Sequence, residues 1–297
     1  MIAVDWGTSR LRAYLLDKNG QILAQESGNV GVMTIRQGGF SEVLEEMVGP
    51  WLAQGAGPVF MSGMVGSRQG WAEAPYVQCP ASLDDIAAGV ASVHWGNDRS
   101  AFIVPGLACI DNNGVPDFLR GEETQALGAL HDLPSGELSL YLPGTHSKHL
   151  HVRDGNIESF VTHMTGEIYS VMRSHSILGR IMDGIDTDMD TPAFDAGLRR
   201  ARDSGGLSHH LFGVRARALA GELSSTETAS YLSGILIGHE VSTTDTKRQI
   251  FIVGAEKLSE LYLRAFEFAG ANAELVEPDI AALGLYRVAR AFAETQS

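Results

Sequence analysis

The sequence predicts an α/β protein of two lobes, and three observations carry that expectation. The chain opens on a meander of short strands and tight turns, a comparable meander returns after residue 136, and helical and strand-like stretches alternate through the rest. At 297 residues there is room for two cores.

The opening meander runs from Ile2-Ala3-Val4 into the polar turn Asp5-Trp6-Gly7-Thr8-Ser9. Leu11, Ala13 and Leu15 then alternate as a strand, Asn19-Gly20 marks a hairpin, and Ile22-Leu23-Ala24 starts a third strand. A turn with one carboxylate, one glycine and two hydroxyls suits phosphate and metal. Gly7 lets the backbone approach an anion, Thr8 and Ser9 can donate to its oxygens, and Asp5 can hold Mg²⁺ directly or through water. The same residue types also make ordinary surface turns. Recurrence is what favours the phosphate reading.

Residues 40–52 carry apolar positions at helical spacing, with a break expected near Gly49-Pro50. Residues 58–61 read as a buried strand entering the glycine-rich loop Ser62-Gly63-Met64-Val65-Gly66-Ser67-Arg68-Gln69-Gly70-Trp71, whose backbone can line a cleft. A helix is expected over 83–93, a strand over 102–104 stopped by Pro105-Gly106, and a helix over 119–131 with Glu122 and Glu123 in its first turn. Turn signals at Pro134-Ser135-Gly136 place a boundary there, giving domains 1–135 and 136–297, with the last helix free to return to the first domain.

The second meander is 138–142, then Pro143-Gly144-Thr145-His146-Ser147-Lys148, then strands at 149–152 and 157–162 around Asp154-Gly155. Gly144-Thr145-His146-Ser147-Lys148 aligns with Gly7-Thr8-Ser9-Arg10 with one residue inserted, an internal repeat in topology as well as letters. Helices follow over 167–181, 193–203, 211–219 and 226–240, the last with Ser224 and Glu227 at capping-box spacing. A strand over 249–253 ends at Gly254-Ala255-Glu256-Lys257, followed by a helix over 258–268, a strand over 273–276 and a helix over 280–292.

Composition narrows the function. A formal charge of −14 argues against a nucleic-acid backbone as partner, though an anionic small molecule needs only a few local cations. No stretch is apolar enough to span a membrane, and Asp5 and Arg10 interrupt the early apolar run, so no signal peptide is expected. Cys79 and Cys109 read as reduced thiols of a cytoplasmic protein. His146, His149 and His151 lie close in sequence, yet no cysteine or carboxylate completes a zinc set at ligand spacing. Neither a P-loop nor a G-x-G-x-x-G pattern occurs. Two glycine–hydroxyl hairpins facing each other across a cleft would instead grip one polyphosphate, and phosphoryl transfer needs chiefly positioning and charge neutralisation.

With these motifs in place the chain resembles the actin–hexokinase–Hsp70 ATPase superfamily, whose domains have ribonuclease H-like folds. Residues 61–71 (MSGMVGSRQGW), 120–125 (RGEETQ), 142–148 (LPGTHSK) and 164–167 (MTGE), in that order, resemble the 2-dehydro-3-deoxygalactonokinase family. The resemblance runs from Ile2 to the final helix. It implies an ATP- and Mg²⁺-dependent kinase acting on the C6 hydroxyl of 2-dehydro-3-deoxy-D-galactonate in galactonate catabolism. It implies a sugar-acid domain first and a nucleotide domain second. Asp5 would organise Mg²⁺, with Gly7, Thr8 and Ser9 as the first phosphate loop and Gly144, Thr145, His146, Ser147 and Lys148 as the second. Pro143 stands where the superfamily usually has an acidic residue, so Lys148 would supply charge instead. Gly254 and Ala255 would lie against adenine with Lys257 near the ribose. Glu122 and Glu123 are the candidate bases, with Asp117 and Asp111 behind them. Arg68 or Arg120 would clamp the substrate carboxylate, while Ser62, Met64 and Trp71 would wall the sugar pocket.

The alternatives are a kinase for a related sugar acid such as 2-dehydro-3-deoxygluconate, an actin-like nucleotide switch or phosphatase, and a sugar sensor without catalysis. Monomer and homodimer both stay open, as do the stereochemistry of the substrate and the choice between Glu122 and Glu123.

Overall fold

The computed structural model describes residues 1–36, 38–96, 99–182, 189–277 and 280–296. The opening meander forms as its alternation dictates: β1 (Ile2–Trp6), β2 (Leu11–Leu16) and β3 (Ile22–Gly28) pair antiparallel, with Asp5 opposite Arg12. α1 (Phe40–Ala53) turns Phe40, Leu44 and Val48 inward at a spacing of four. It runs through Pro50, correcting the expected break. The missing proline N–H costs one bond close to the helix end, and the buried face holds the rest in line.

β4 (Val59–Ser62) lies parallel to β1, with Ser62 beside Asp5. β5 (Tyr76–Gln78) precedes α2 (Leu83–Ala88), which a Ser82–Asp85 capping box begins. The helix expected over 83–93 is shorter than that. Gly89 ends it, and β6 (Ala91–Trp95) turns back antiparallel to β7 (Arg99–Ile103), because Val93 and Trp95 fit a pleated surface. The turn at Pro105-Gly106 stops β7 and also launches β8 (Gly106–Ile110), which leads through β9 (Pro116–Leu119) to α3 (Glu122–Ala129).

Next come β10 (Glu137–Leu142), β11 (Ser147–Arg153), β12 (Asn156–His163) and α4 (Thr165–His175). The helix expected over 167–181 ends at His175, with a separate 3-10 turn over Gly179–Ile181. α5 (Thr191–Ala201), α6 (Gly206–Leu219) and α7 (Ser225–Val241) follow, α7 starting on the Ser224–Glu227 capping box. β13 (Gln249–Ile252), α8 (Glu256–Ala269), β14 (Ala273–Leu275) and α9 (Ala281–Thr295) close the chain.

These elements form two units. The first is Met1–Glu137, Leu150–Val161 and Glu277–Ser297; the second is Leu138–His149 and Thr162–Val276. In the first, a mixed sheet runs β3-β2-β1-β4-β7-β6 with β1, β4 and β7 parallel, beside a small sheet β5-β8-β9. Its core gathers Ile2, Val4, Trp6, Leu11, Leu44, Met61 and Ile103, and α3 packs along α9. Each large apolar side chain taken fully from water adds about 1.5–3 kcal/mol. Residues 150–161 join this unit through an Ala81–Ile157 bridge and a bond from the Cys109 thiol to Phe160 O.

The second unit holds β13, β14 and most of β10 of a five-stranded sheet ordered β12-β11-β10-β13-β14, in which β10, β13 and β14 are parallel. Three consecutive strands on one side followed by parallel strands is the same plan as in the first sheet, so the repeat in the letters is also a repeat in topology. Phe194, Ile237, Ile250, Tyr262 and Phe266 fill its core. No helix among the described residues is long and apolar enough to cross a membrane.

Candidate active site

Parallel β1 and β4 reach their C-terminal ends at Trp6 and Ser62, where Asp5 lies beside Ser62, and α3 begins at that edge. Two glycines bring these ends together. Gly63, at φ +89°, stands where a Cβ would lie 2.8 Å from Trp6 O and 3.6 Å from Asp5 Oδ1. Gly121, at φ +106°, would place a Cβ 3.2 Å from Gly63 Cα. Only glycine meets both demands. Asp5, Gly63 and the start of α3 therefore occupy one corner.

Within it, Asp5 pairs with Arg12 at 3.0 Å and stays 14% exposed. The loop beyond is braced by its backbone: Gly7 N–H donates to Arg10 O, while Val32 and Met33 N–H groups donate to Gly7 O and Thr8 O. Thr8 and Ser9 are left exposed.

Glu122 and Glu123 differ sharply. Glu122 is half-buried and its carboxylate accepts the Arg120 N–H at 3.1 Å. Glu123 is fully buried; it accepts the Gly121 N–H at 2.6 Å, and its Oε1 has no partner among the described residues. Burial, reinforced by the neighbouring Glu122 charge, pushes its carboxyl up to about 8. The Thr124 hydroxyl donates to Gly121 O at 2.7 Å and lies 3.3 Å from Ser62 Oγ, which ties α3 to β4. Asp117 bonds the Phe118 N–H, and the Asp111 side chain is spent on the turn to Val115.

The other first-unit candidates separate by exposure. Ser62 is fully buried and Met64 half-buried. Trp71 stacks on Phe40 and meets Trp95 edge-on, which makes it part of the core wall. Arg68 and Arg120, with Gln69, Glu73, Tyr76 and Phe118, line a concavity of about 550 Å³. Arg68 is exposed and pairs with Glu73 at 3.0 Å. Arg120 donates to Ala74 O and Pro75 O and lies 4.3 Å from the Tyr76 ring centroid, so its guanidinium is fixed in place. Gln69, Glu73, Tyr76 and Phe118 were not among the sequence candidates; the small sheet that carries Tyr76 and Phe118 had left too weak a strand pattern.

In the second unit, residues 143–146 connect β10 to β11. Thr145 and His146 are exposed, while Ser147 and Lys148 are buried. The Ser147 hydroxyl bonds Tyr262 at 2.9 Å, and Lys148 donates to Thr162 Oγ1 at 3.1 Å. The start of α4 presses on this loop: a Cβ on Gly166 would stand 2.3 Å from Gly144 O. Glu167 holds the loop twice, through its N–H to Thr145 O at 2.9 Å and through its carboxylate to the His146 ring. The segment 164–167 is thus a clamp on the loop at 144–146.

Behind the loop lies a cavity of about 210 Å³ walled by Gly144 of the loop and by Gly166, Tyr169, Ser233, Leu258 and Tyr262 of α4, α7 and α8. Gly254 lies at the end of β13 close to Pro143, where a Cβ would be 3.4 Å from Pro143 O, and Ala255 caps α8 one residue on. Lys257 sits in the first turn of α8.

Paired sheets of one plan, each carrying a glycine–hydroxyl loop between its first two strands, define the actin-like ATPase fold. Solved structures only 13–14% identical, with TM-scores of 0.52–0.54, share that fold. The model of the family described as 2-keto-3-deoxy-galactonokinase matches residues 5–288, and the chain belongs to that family. It is 37% identical to a Rhizobium meliloti (strain 1021) protein named as a probable 2-dehydro-3-deoxygalactonokinase, over 97% of this chain and 96% of the relative. It is 35% identical to the 2-dehydro-3-deoxygalactonokinase of Escherichia coli (strain K12), over 98% of each. A crystal structure of a Sinorhizobium meliloti protein with the same provisional designation superposes with a TM-score of 0.88 at 35% identity, over 98% of each chain.

Proposed function

We propose that this protein transfers the γ-phosphoryl group of ATP to the C6 hydroxyl of 2-dehydro-3-deoxy-D-galactonate, in the cytoplasm. The observation that carries the reading is the convergence of Asp5, Gly63 and Glu122 at the C-terminal ends of parallel β1 and β4, where ligands bind in open α/β sheets. Glu122 is the base, because Glu123, with no exposed surface, has no access to a substrate. The Glu122 carboxylate takes the C6 hydroxyl proton as that oxygen forms its bond to the γ-phosphorus. The bond from the γ-phosphorus to the β,γ-bridging oxygen breaks, and ADP leaves.

The exposed Thr8 and Ser9 of the first loop and the Gly144–His146 backbone of the second supply phosphate donors. Ser147 and Lys148, both buried, support the second loop from behind. Adenine occupies the cavity between α4, α7 and α8, with Gly254 and Ala255 at its phosphate end and Lys257 towards the ribose. Arg68 faces the concavity that takes the sugar acid, and Arg120 with Tyr76 forms its floor; Ser62 and Trp71 back this pocket without touching substrate, and Met64 edges it.

Asp5 fits a Mg²⁺ role by chemistry: a hard carboxylate with limited exposure, at the base of an exposed hydroxyl loop. Bound there with the nucleotide, the ion would neutralise phosphate charge. The first domain then handles the sugar acid and the second the nucleotide.

The test is ADP release from Mg-ATP with 2-dehydro-3-deoxy-D-galactonate, with its gluconate epimer, and with no sugar acid. Release that depends on the galactonate derivative and yields a 6-phosphate is expected. Equal release without sugar acid would reveal an ATPase or phosphatase, and preference for the epimer would move the substrate assignment.

A further inference from the structure

A buried carboxylate lies behind the second loop, far from either candidate base in sequence and absent from the reaction as written. Glu240, near the end of α7, is 3% exposed. Its Oε2 accepts the Tyr262 hydroxyl at 2.6 Å and its Oε1 meets His149 Nε2 at 2.5 Å. The Thr165 hydroxyl adds a third donor. A carboxylate only accepts, so Tyr262 spends its proton on Glu240 and the Ser147 hydroxyl must donate to Tyr262. The polarity of the whole chain follows: Ser147 to Tyr262 to Glu240, with His149 donating from the other side.

The protonation states agree with this order. Burial alone would raise the Glu240 carboxyl, but the donors from His149, Thr165 and Tyr262 outweigh it and hold it below the usual carboxylate range. Burial pushes the His149 ring down, so it is a neutral donor. A buried charge held only by neutral donors is expensive to keep, and replacing such groups by apolar ones is often no loss to stability. Its partners indicate why this one is retained. Ser147 is the residue after the loop at 144–146, Thr165 begins the α4 clamp whose Gly166 touches Gly144, and Tyr262 is a wall of the α4–α7–α8 cavity.

We propose that Glu240 is a positioning residue for the nucleotide: through Ser147, Thr165 and Tyr262 it fixes the phosphate loop, the start of α4 and α8 as one preorganised frame around the cavity. The inference rests on the reading above that this domain holds ATP. It makes Glu240 act on nucleotide binding and leave the sugar-acid pocket alone.

Two variants test it. Glu240→Gln puts an amide N–H₂ against the donors, and Tyr262→Phe removes the hydroxyl that links Ser147 to Glu240 while keeping the ring. ATP and ADP affinity are measured directly by calorimetry without sugar acid, alongside KM for both substrates. Losing a hydrogen bond to a buried charge predicts roughly a ten- to hundredfold weaker nucleotide for Glu240→Gln, with a smaller rise for Tyr262→Phe and sugar-acid KM within twofold. Nucleotide affinity within twofold of the parent in a folded variant overturns the proposal, as does an equal rise in both KM values. Should Glu240→Gln not fold, Tyr262→Phe decides alone. If the parent protein binds ADP but transfers nothing to any sugar acid, the kinase reading fails while this inference is still judged by the binding data.

Discussion

The backbone N–H of Gly121 donates to the carboxyl of Glu123 at 2.6 Å, closing the first turn of α3 on itself beneath Glu122. Gly121 is also the residue that touches Gly63, so Glu123 holds the junction from which Glu122 projects. One glutamate is therefore available for chemistry and the next anchors its backbone. Glu122→Gln should lower kcat by roughly 10²- to 10⁴-fold with little change in either KM, as loss of a general base does. Glu123→Gln keeps a hydrogen-bond acceptor and the neutral charge, and should cost kcat less than tenfold at pH 7. Steady-state kinetics on the two folded variants decides this; a larger loss from Glu123→Gln than from Glu122→Gln would reverse the assignment.

Asp5→Asn should remove most of the Mg²⁺-dependent turnover while leaving the fold intact, since Asn occupies the same space beside Arg12. Titrating Mg²⁺ at fixed ATP reads the effect. The variant should need much more metal or show no saturation, and a parent-like Mg²⁺ curve would take the metal role from Asp5.

Gly166→Ala should be costly, because the new Cβ would stand 2.3 Å from Gly144 O and 2.9 Å from Thr145 Cα. Backbone on both sides must move, a change of about 1–3 kcal/mol, and it moves the loop at 144–146 itself. Gly213→Ala is the control. Nothing stands within 4 Å of its Cβ position inside α6, so it should stabilise by about 0.4–1 kcal/mol. Thermal unfolding and ATP KM should shift unfavourably for Gly166→Ala, and Gly213→Ala should leave KM alone.

Much of this arrangement was legible in the letters because it is local. Asn19-Gly20, Gly7 and Gly144 mark turns whose geometry their own residues dictate, and the Ser224–Glu227 box starts α7 where its spacing says. Alternation marks β1 and β2 as strands without fixing which side chains are buried, since β1 buries both faces and β2 buries Tyr14 and Leu16 as well as Leu11 and Ala13. What could not be read depends on distant partners. Glu240 looks like one more polar residue at a helix end, until His149, 91 positions away, and Tyr262, 22 away, meet it in space. Trp71 suits a sugar pocket by type, yet Phe40 and Trp95 claim it for the core. Glu122 and Glu123 are adjacent and identical, and only the packing of α3 separates them.

The pH dependence of stability follows from groups with opposite signs. Glu123 has its folded value raised, to about 8, well above the ordinary carboxyl range. Between those values the native state holds a proton the unfolded chain has lost, so stability falls as pH rises, by at most about 1.4 kcal/mol per unit. His239, whose Nε2 meets His210 Nδ1 at 2.8 Å, has its value lowered, chiefly by burial and then by His210. His149 is lowered by burial as well. For these rings the unfolded chain takes up protons first, so their contribution is present above about pH 6.5 and is lost as pH falls through the folded values. Melting temperature measured from pH 5 to 9 should therefore pass through a maximum near neutrality. Glu123→Gln should remove the downward slope that Glu123 contributes from the ordinary carboxyl range up to about pH 8, which shows most clearly between about pH 7 and 8, and His239→Gln should weaken the rise below about pH 6.5. A Glu123→Gln profile that still falls as steeply above neutrality would mean that Glu123 is already ionised in the folded protein, and that its neutral, anchoring role is wrong.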